Sequence, residues 1–222
     1  MKSAIVALSL LLLAVSAHAS AINLVANGDF SAGATGFTSG YLGKASGTNS
    51  MWDPGTYTID TSARSNHALW ETGGDSTTGT GNFMLVNGSV EVGKAVWKQT
   101  IAVMPAWLYS FSAWAKNLCC TDGGAIDGPD LSFWVNGIQL ATCATDGPSV
   151  WAQCVDTFQA TTRTVDLEIR NTSMRFRAND FGLDDISVTA VATPEPATML
   201  LLGTGMLVAW RARRRTPKAS HA

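Results

Sequence analysis

Two tryptophans on alternating segments carry the clearest chemical potential in this chain. In Leu108–Lys116, Tyr109, Phe111 and Ala113 fall on one side of an extended backbone and Ser110, Ser112 and Trp114 on the other. In Leu131–Asn136, Leu131, Phe133 and Val135 oppose Ser132, Trp134 and Asn136. Successive side chains of a strand point to opposite faces. With the apolar sets turned inward, Trp114 and Trp134 stand outward among hydroxyls and an amide. A flat ring matches the C–H face of a sugar and the polar neighbours match its hydroxyls, so the pair reads as a glycan-stacking platform. Burial under a loop is the competing use of the same rings. Trp97, in the apolar stretch Ala95–Val103, reads as core.

The other reactive residue types point away from catalysis. Between residues 20 and 193 the chain has one histidine, His67, in Asn66-His67-Ala68-Leu69-Trp70, which reads as a strand edge. It contains no G-x-S-x-G, no H-E-x-x-H and no glycine-rich phosphate loop. Asp184 and Asp185 are adjacent, so on a strand they face opposite ways and are poorly placed as a glycosidase pair, which needs two carboxylates about 5 to 10 Å apart in a cleft. The expectation is a protein that is not an enzyme.

The elements that must position these residues are short strands. Alternating or apolar runs recur at Ile22–Ala26, Tyr57–Thr61, His67–Glu71, Phe83–Asn87, Ala95–Val103, Leu108–Lys116, Leu131–Asn136, Gln139–Thr142, Val150–Phe158, Thr164–Arg170 and Gly182–Val191. Asn27-Gly28, Asn87-Gly88, Asn136-Gly137 and Asp146-Gly147-Pro148 supply turns between them. This spacing predicts an all-β fold, a jelly-roll β-sandwich. Thr164–Arg170 shows the pattern best, with Val165, Leu167 and Ile169 inward and Asp166, Glu168 and Arg170 outward. Ser31–Ser50 and Gly73–Gly81 read as loops able to face a ligand.

Both ends stand apart from that domain. Lys2, the apolar Ala4–Val15 and Ala17-His18-Ala19 form a secretory signal peptide, residues 1–19. At the other end, Pro194-Glu195-Pro196 precedes the uncharged Ala197–Trp210 and then Arg211, Arg213, Arg214, Arg215 and Lys218. As a helix the apolar run spans roughly 21 Å at about 1.5 Å per residue, short of the roughly 30 Å hydrocarbon core. The basic cluster belongs on the cytoplasmic side. Residues 193–222 therefore read as a short membrane-stop helix with a basic tag, and residues 20–192 as the β domain between two targeting segments.

This tripartite tail resembles the PEP-CTERM sorting signal of Gram-negative bacteria. The resemblance implies an exosortase-type membrane protease as partner, cutting near Pro194-Glu195-Pro196. It also implies a chain anchored transiently in the inner membrane by its C-terminus and then released to the cell surface or beyond. The body is similar to the galactose-binding-like jelly rolls, among them the carbohydrate-binding modules. That similarity rests on Asn27-Gly28-Asp29-Phe30 near the start and Asn179-Asp180-Phe181-Gly182-Leu183-Asp184-Asp185-Ile186-Ser187-Val188 near the end, with Gly81–Gly88, Ala95–Thr100 and Tyr109–Ala115 between them. It implies that the first and last strands lie side by side. It also implies a structural calcium where they meet, held by Asp29 and one of Asp184 or Asp185, although Ser31 stands where the pattern usually has an acid. No other cofactor is required. Asp122, Asp127 and Asp130 form a second acidic loop without EF-hand spacing.

Charge and cysteines fit an exported domain. Of fifteen cations, one lies in the leader and five in the tail, which leaves nine against all seventeen acids, a net of −8. That balance excludes nucleic acid and anionic membrane surfaces as partners. Cys119, Cys120, Cys143 and Cys154 read as disulfides in an oxidising compartment. A vicinal bridge would strain the backbone, so Cys119 and Cys120 are each expected to pair with Cys143 or Cys154, in either combination. A zinc site would lack C-x2-C pairs and histidines. The expected protein is a non-catalytic surface or matrix component associated with extracellular polysaccharide or biofilm. The alternative is a carbohydrate-binding module built on Trp114 and Trp134, with a glycan-active enzyme a distant third.

Overall fold

The computed structural model describes residues 22–120, 128–145, 150–173, 175, 179–191, 203–207 and 210–211. Along the chain these residues form β1 (Leu42–Gly43), β2 (Thr56–Asp60), a single-turn helix α1 (Ala63–Asn66), β3 (Phe83–Asn87), β4 (Ala95–Ala102), β5 (Leu108–Asn117), β6 (Asp130–Val135), β7 (Ile138–Ala144), β8 (Ala152–Gln159), β9 (Thr164–Asn171) and β10 (Phe181–Ala190). They build two sheets, one of six strands in the order β1-β2-β3-β10-β5-β8 and one of four in the order β4-β9-β6-β7. Every pairing is antiparallel except β1 with β2. This is the all-β, jelly-roll sandwich that the strand spacing predicts.

Period-two alternation creates the layers. Tyr109, Phe111, Ala113 and Ala115 of β5 pack against Leu131, Phe133 and Val135 of β6 and Val165, Leu167 and Ile169 of β9 in one core. Trp97 is wholly buried there, as expected. Phe111 meets Phe133 edge to face across the two sheets, with ring centroids 4.9 Å apart. At the tip of the β6–β7 hairpin, Asn136 and Gly137 both adopt positive φ (50° and 76°), the conformation a two-residue type I′ turn demands.

β10 runs between β3 and β5 but pairs with β3 only through Phe181–Leu183. Its register slips between Asp184 and Ser187, where Asp185 takes a φ of 46°. Beyond this bulge the first segment of the domain runs beside β10, so the two ends of the domain are neighbours. Leu24 N–H donates to the Val188 carbonyl at 2.9 Å, and Ile186 N–H to the Gly28 carbonyl at 2.9 Å. A Cβ on Gly28 would lie 2.0 Å from the Ile186 oxygen, so the approach requires glycine. Ile22–Ala26 is not the regular strand expected. The Asn23 side chain takes part of the ladder, accepting from Val188 N–H and donating to the Ile186 carbonyl, both at 3.0 Å. His67–Glu71 also departs from expectation. Turn bonds from His67 to Ala63 and from Trp70 to His67 curl this stretch, leaving Trp70 with a single bridge to Cys119.

A second, smaller core covers half of the outer face of the six-stranded sheet. Met84 and Val86 of β3 point into the main core, whereas Phe83 and Leu85 point outward. Met51, Ala63, Trp70 and Leu118 close over those outward side chains, with Trp151 at the margin. Among the described residues, no such apolar cluster covers the other half of that face, on β5 and β8.

The chain divides into two compact units, Met1–Ala190 and Val191–Ala222. In the second, residues 203–207 and 210–211 are helical. Among the described residues no helix is long and apolar enough to cross a membrane. The leader (1–19), Asp122, Asp127, Asp146-Gly147-Pro148, Pro194, Glu195, Pro196, Arg213, Arg214 and Arg215 lie outside the described residues.

Candidate functional site

Trp114 sits on β5 of the six-stranded sheet and Trp134 on β6 of the four-stranded sheet, and each points away from the shared core. They therefore stand on opposite outer faces of the sandwich and cannot share one platform, contrary to the sequence expectation. Alternation assigns each ring correctly to the outside of its own strand. Which sheet a strand joins depends on long-range pairing, which alternation does not encode.

The face that carries Trp134 is ionic. The Arg170 guanidinium lies over the half-buried Trp134 ring at 4.0 Å from its centroid, and the indole N–H donates to the Ser132 hydroxyl at 2.8 Å. Arg170 Nε also donates to Glu168 at 2.7 Å, while Lys98 bridges the other Glu168 oxygen at 2.9 Å. Burial alone would raise the Glu168 carboxyl, but Arg170 and Lys98 outweigh it and hold its pKa below the ordinary value. At the β4 edge of this face an open groove is lined by Phe37, Thr38, Lys98, Thr100 and Asp166. With a cation already on it, Trp134 offers no bare ring to a sugar.

The face that carries Trp114 differs. Asp184, Trp114 and Gln153 stand abreast across β10, β5 and β8, one side chain per strand in register. Next along come Ser187, Ser112 and Val155, then Thr189, Ser110 and Thr157. The result is a hydroxyl-rich floor with one half-buried indole. Residues 73–81 form a strap along one side of it. Ser76 N–H donates to Asp184 at 2.7 Å, and the Ser76 and Thr77 hydroxyls both donate to Asp185 at 2.5 Å. The Gly74 carbonyl accepts from Lys116 Nζ at 2.8 Å and from Trp151 Nε1 at 3.3 Å.

Lys116 ties the strap to the sheet. Its ammonium is buried between the rings of Phe83 and Trp151, 4.7 and 4.6 Å from their centroids. Burial pushes its pKa down to about 8, against the opposing pull of Asp184 and Asp75. Burial likewise raises the Asp184 carboxyl to about 6, although the N–H groups of Ser76 and Asp185 favour its ionised form. Neither Lys116 nor Trp151 stands out in sequence. Lys116 ends an alternating strand where a solvated lysine would look the same, and Trp151 opens one.

The candidate calcium ligands part company at the bulge. Asp184 turns under the strap, whereas Asp185 borders a surface hollow with Asn23, Asn27, Gly28, Asp29 and Ser187. Asp29 accepts from the backbone and hydroxyl of Ser31, at 3.2 and 2.9 Å, and Asp185 from Ser76 and Thr77. Asn23 and Asn27 spend their side chains on backbone partners. Calcium takes six to eight oxygens. Local donors engage one oxygen of each carboxylate, Oδ1 of Asp29 and Oδ2 of Asp185, and among the described residues no three His, Cys, Asp or Glu side chains are grouped to hold a metal ion.

The cysteines pair otherwise than expected, as Cys119–Cys120 and Cys143–Cys154. β7 and β8 are edge strands of different sheets, and the second bridge joins them with a Cα separation of 5.8 Å. Cys119 and Cys120 are left to each other at the buried end of β5. His67 is also not an exposed strand edge. It is 6% exposed and packed between Trp52 and Trp70, its Nδ1 accepts from Leu69 N–H, and burial lowers its pKa. A ring held in that way is unavailable as a general base.

Residues 192–215 match the PEP-CTERM protein-sorting motif. No curated protein matches the chain. Solved structures similar to it include TmCBM61 in complex with β-1,4-galactotriose (14% identity, 77% of this chain and 99% of that one, TM-score 0.48). A Family 16 Carbohydrate Binding Module-2 is similar at 16% identity over 75% of this chain and 99% of that one, with TM-score 0.44. The EclA C-terminal domain, described as a sugar-binding protein, is similar at 16% identity and TM-score 0.38; the match covers 43% of this chain and spans 66% of that one.

Proposed function

We propose that this is a non-catalytic surface protein, exported and processed by an exosortase-type membrane protease, whose β-sandwich meets extracellular polysaccharide through the outer face of its six-stranded sheet. The observation that carries the proposal is the sorting motif at residues 192–215. Its apolar run is too short for a comfortable span and ends in a basic cluster, which suits a temporary stop that holds the chain for cleavage. The glycan half of the proposal is supported by the Trp114 floor, where one flat ring lies among serine and threonine hydroxyls, Gln153 and the strap. The same destination supports, as part of this proposal, association with a biofilm matrix.

Sorting is tested by the intact mass of protein recovered from the cell surface. The expected species lacks Arg211 to Arg215, and a surface protein that keeps them overturns the exosortase step. Glycan contact is tested by a polysaccharide-binding screen of the mature protein beside Trp114→Ala. Binding lost in a folded Trp114→Ala protein places the ligand on β5. A folded wild-type protein that binds no polysaccharide, its own matrix included, leaves a purely structural role.

A further inference from the structure

A second aromatic surface lies outside the Trp114 face, in the segment between β1 and β2. Trp52 is 51% exposed, yet its ring is backed. It packs on the His67 imidazole with centroids 4.0 Å apart, and His67 stacks on Trp70 at 4.9 Å and 21°. Trp70 is fully buried and pinned. Its indole N–H donates to Asp180 at 2.8 Å, its backbone N–H donates to the His67 carbonyl at 3.0 Å, and its backbone bridges Cys119. A three-ring ladder thus runs from the smaller core to solvent, and the fixed lower rings orient the upper one.

The surroundings select the kind of ligand. Exposed Asn49, Asp53 and Pro54 flank the ring in sequence, and Asp53 is already bridged to Lys44 at 2.9 Å. A cationic ligand would want an unpaired carboxylate beside the ring, and this one is paired. A protein partner would want roughly 800 Å² of complementary surface, far more than one ring with a polar fringe supplies. A pyranose fits: its C–H face covers the open side of the indole, and its hydroxyls match the polar residues near Trp52 in sequence, Asn49 and Asp53.

We propose that Trp52 is a carbohydrate-stacking site that takes one sugar unit of a neutral polysaccharide. It rests on the glycan reading for its ligand class but shares no residue with the Trp114 face. Two such contacts on one domain would raise retention on a polymer by multivalency, without new affinity at either site.

The test uses the mature exported protein and β-1,4-linked oligosaccharides of glucose, xylose, mannose and galactose. Oxidation of Trp52 by N-bromosuccinimide, mapped by peptide mass spectrometry on the wild-type chain, is slowed by a bound oligosaccharide if the inference holds. Calorimetry on Trp52→Ala then shows ~tenfold weaker binding, with Trp52→Phe keeping part of it. Loss in Trp52→Ala but not Trp114→Ala upholds this site and removes the β5 reading. Loss only in Trp114→Ala, with Trp52 oxidised equally fast in the presence of sugar, overturns this inference and leaves the β5 reading standing. A wild-type chain that binds none of these sugars while its Trp52 stays unprotected overturns it as well.

Discussion

Arg170 lies over Trp134, its guanidinium carbon 4.0 Å from the ring centroid, on the opposite side of the sandwich from Trp114. This contact makes Trp134 a structural residue. A cation over a partly exposed indole is worth about 0.5–1 kcal/mol. A double-mutant cycle of Trp134→Ala and Arg170→Ala, followed by chemical denaturation, is expected to return a coupling of about that size. Trp134→Ala is expected to leave polysaccharide binding unchanged. A loss of binding in that variant would move the site to the four-stranded sheet.

Asp184, under the strap, titrates near pH 6 rather than in the usual carboxylate range because burial disfavours its charge. A folded-state pKa above the unfolded one means that the folded protein holds the proton more tightly between about pH 4 and 6. Its contribution to stability is therefore complete below the unfolded pKa and is lost as pH rises through about 6. The melting temperature of wild type minus that of Asp184→Asn should fall across this interval, and a carbon-13 NMR titration of the carboxyl should centre near 6. A midpoint near 4 would mean that the strap does not close over Asp184.

Lys116 has the opposite sense, with its pKa depressed to about 8. Its contribution is present above the unfolded lysine value and is lost as pH falls through about 8. At neutral pH the buried ammonium is held by the two rings and the Gly74 carbonyl. Lys116→Ala is expected to release the strap, read as faster protease cleavage within residues 73–81 while the sandwich stays folded. Unchanged cleavage would show that Ser76 and Thr77 suffice to hold it.

Cys143–Cys154 joins the edges of the two sheets across a sequence separation of 11. By loop-closure entropy such a crosslink stabilises by about 3 kcal/mol. Peptide mapping under non-reducing conditions should recover this pair together with Cys119–Cys120, and Cys143→Ser/Cys154→Ser should lower stability by about that amount. Recovery of peptides linking Cys119 or Cys120 to Cys143 or Cys154 would contradict the strand placement.

The hollow between Asp29 and Asp185 is expected to ignore calcium, because both carboxylates are engaged by local hydroxyl donors. Adding millimolar calcium, or EDTA, should leave the melting temperature unchanged. A clear rise with calcium would mean that Ser31, Ser76 and Thr77 give up those hydrogen bonds to the ion.

Ile22–Ala26 and His67–Glu71 read as strands and are not regular ones, whereas most of the strands, the inward set on β5, β6 and β9, the Asn136-Gly137 turn and the targeting character of the tail were legible in the chain itself. These are local properties: alternation, turn chemistry and an uncharged run before arginines depend only on near neighbours in sequence. Which sheet received β5 and which received β6 was not legible, and that choice separated Trp114 from Trp134. The pairing of the four cysteines, the wedging of His67 between two tryptophans, the burial of Lys116 and the splitting of Asp184 from Asp185 at a bulge were equally hidden. Each arises where residues far apart in sequence meet: Trp52 with His67 and Trp70, the 73–81 strap with β5 and β10, and the edge of β7 with the edge of β8. Long-range packing decided those meetings, and a linear pattern carries no record of them.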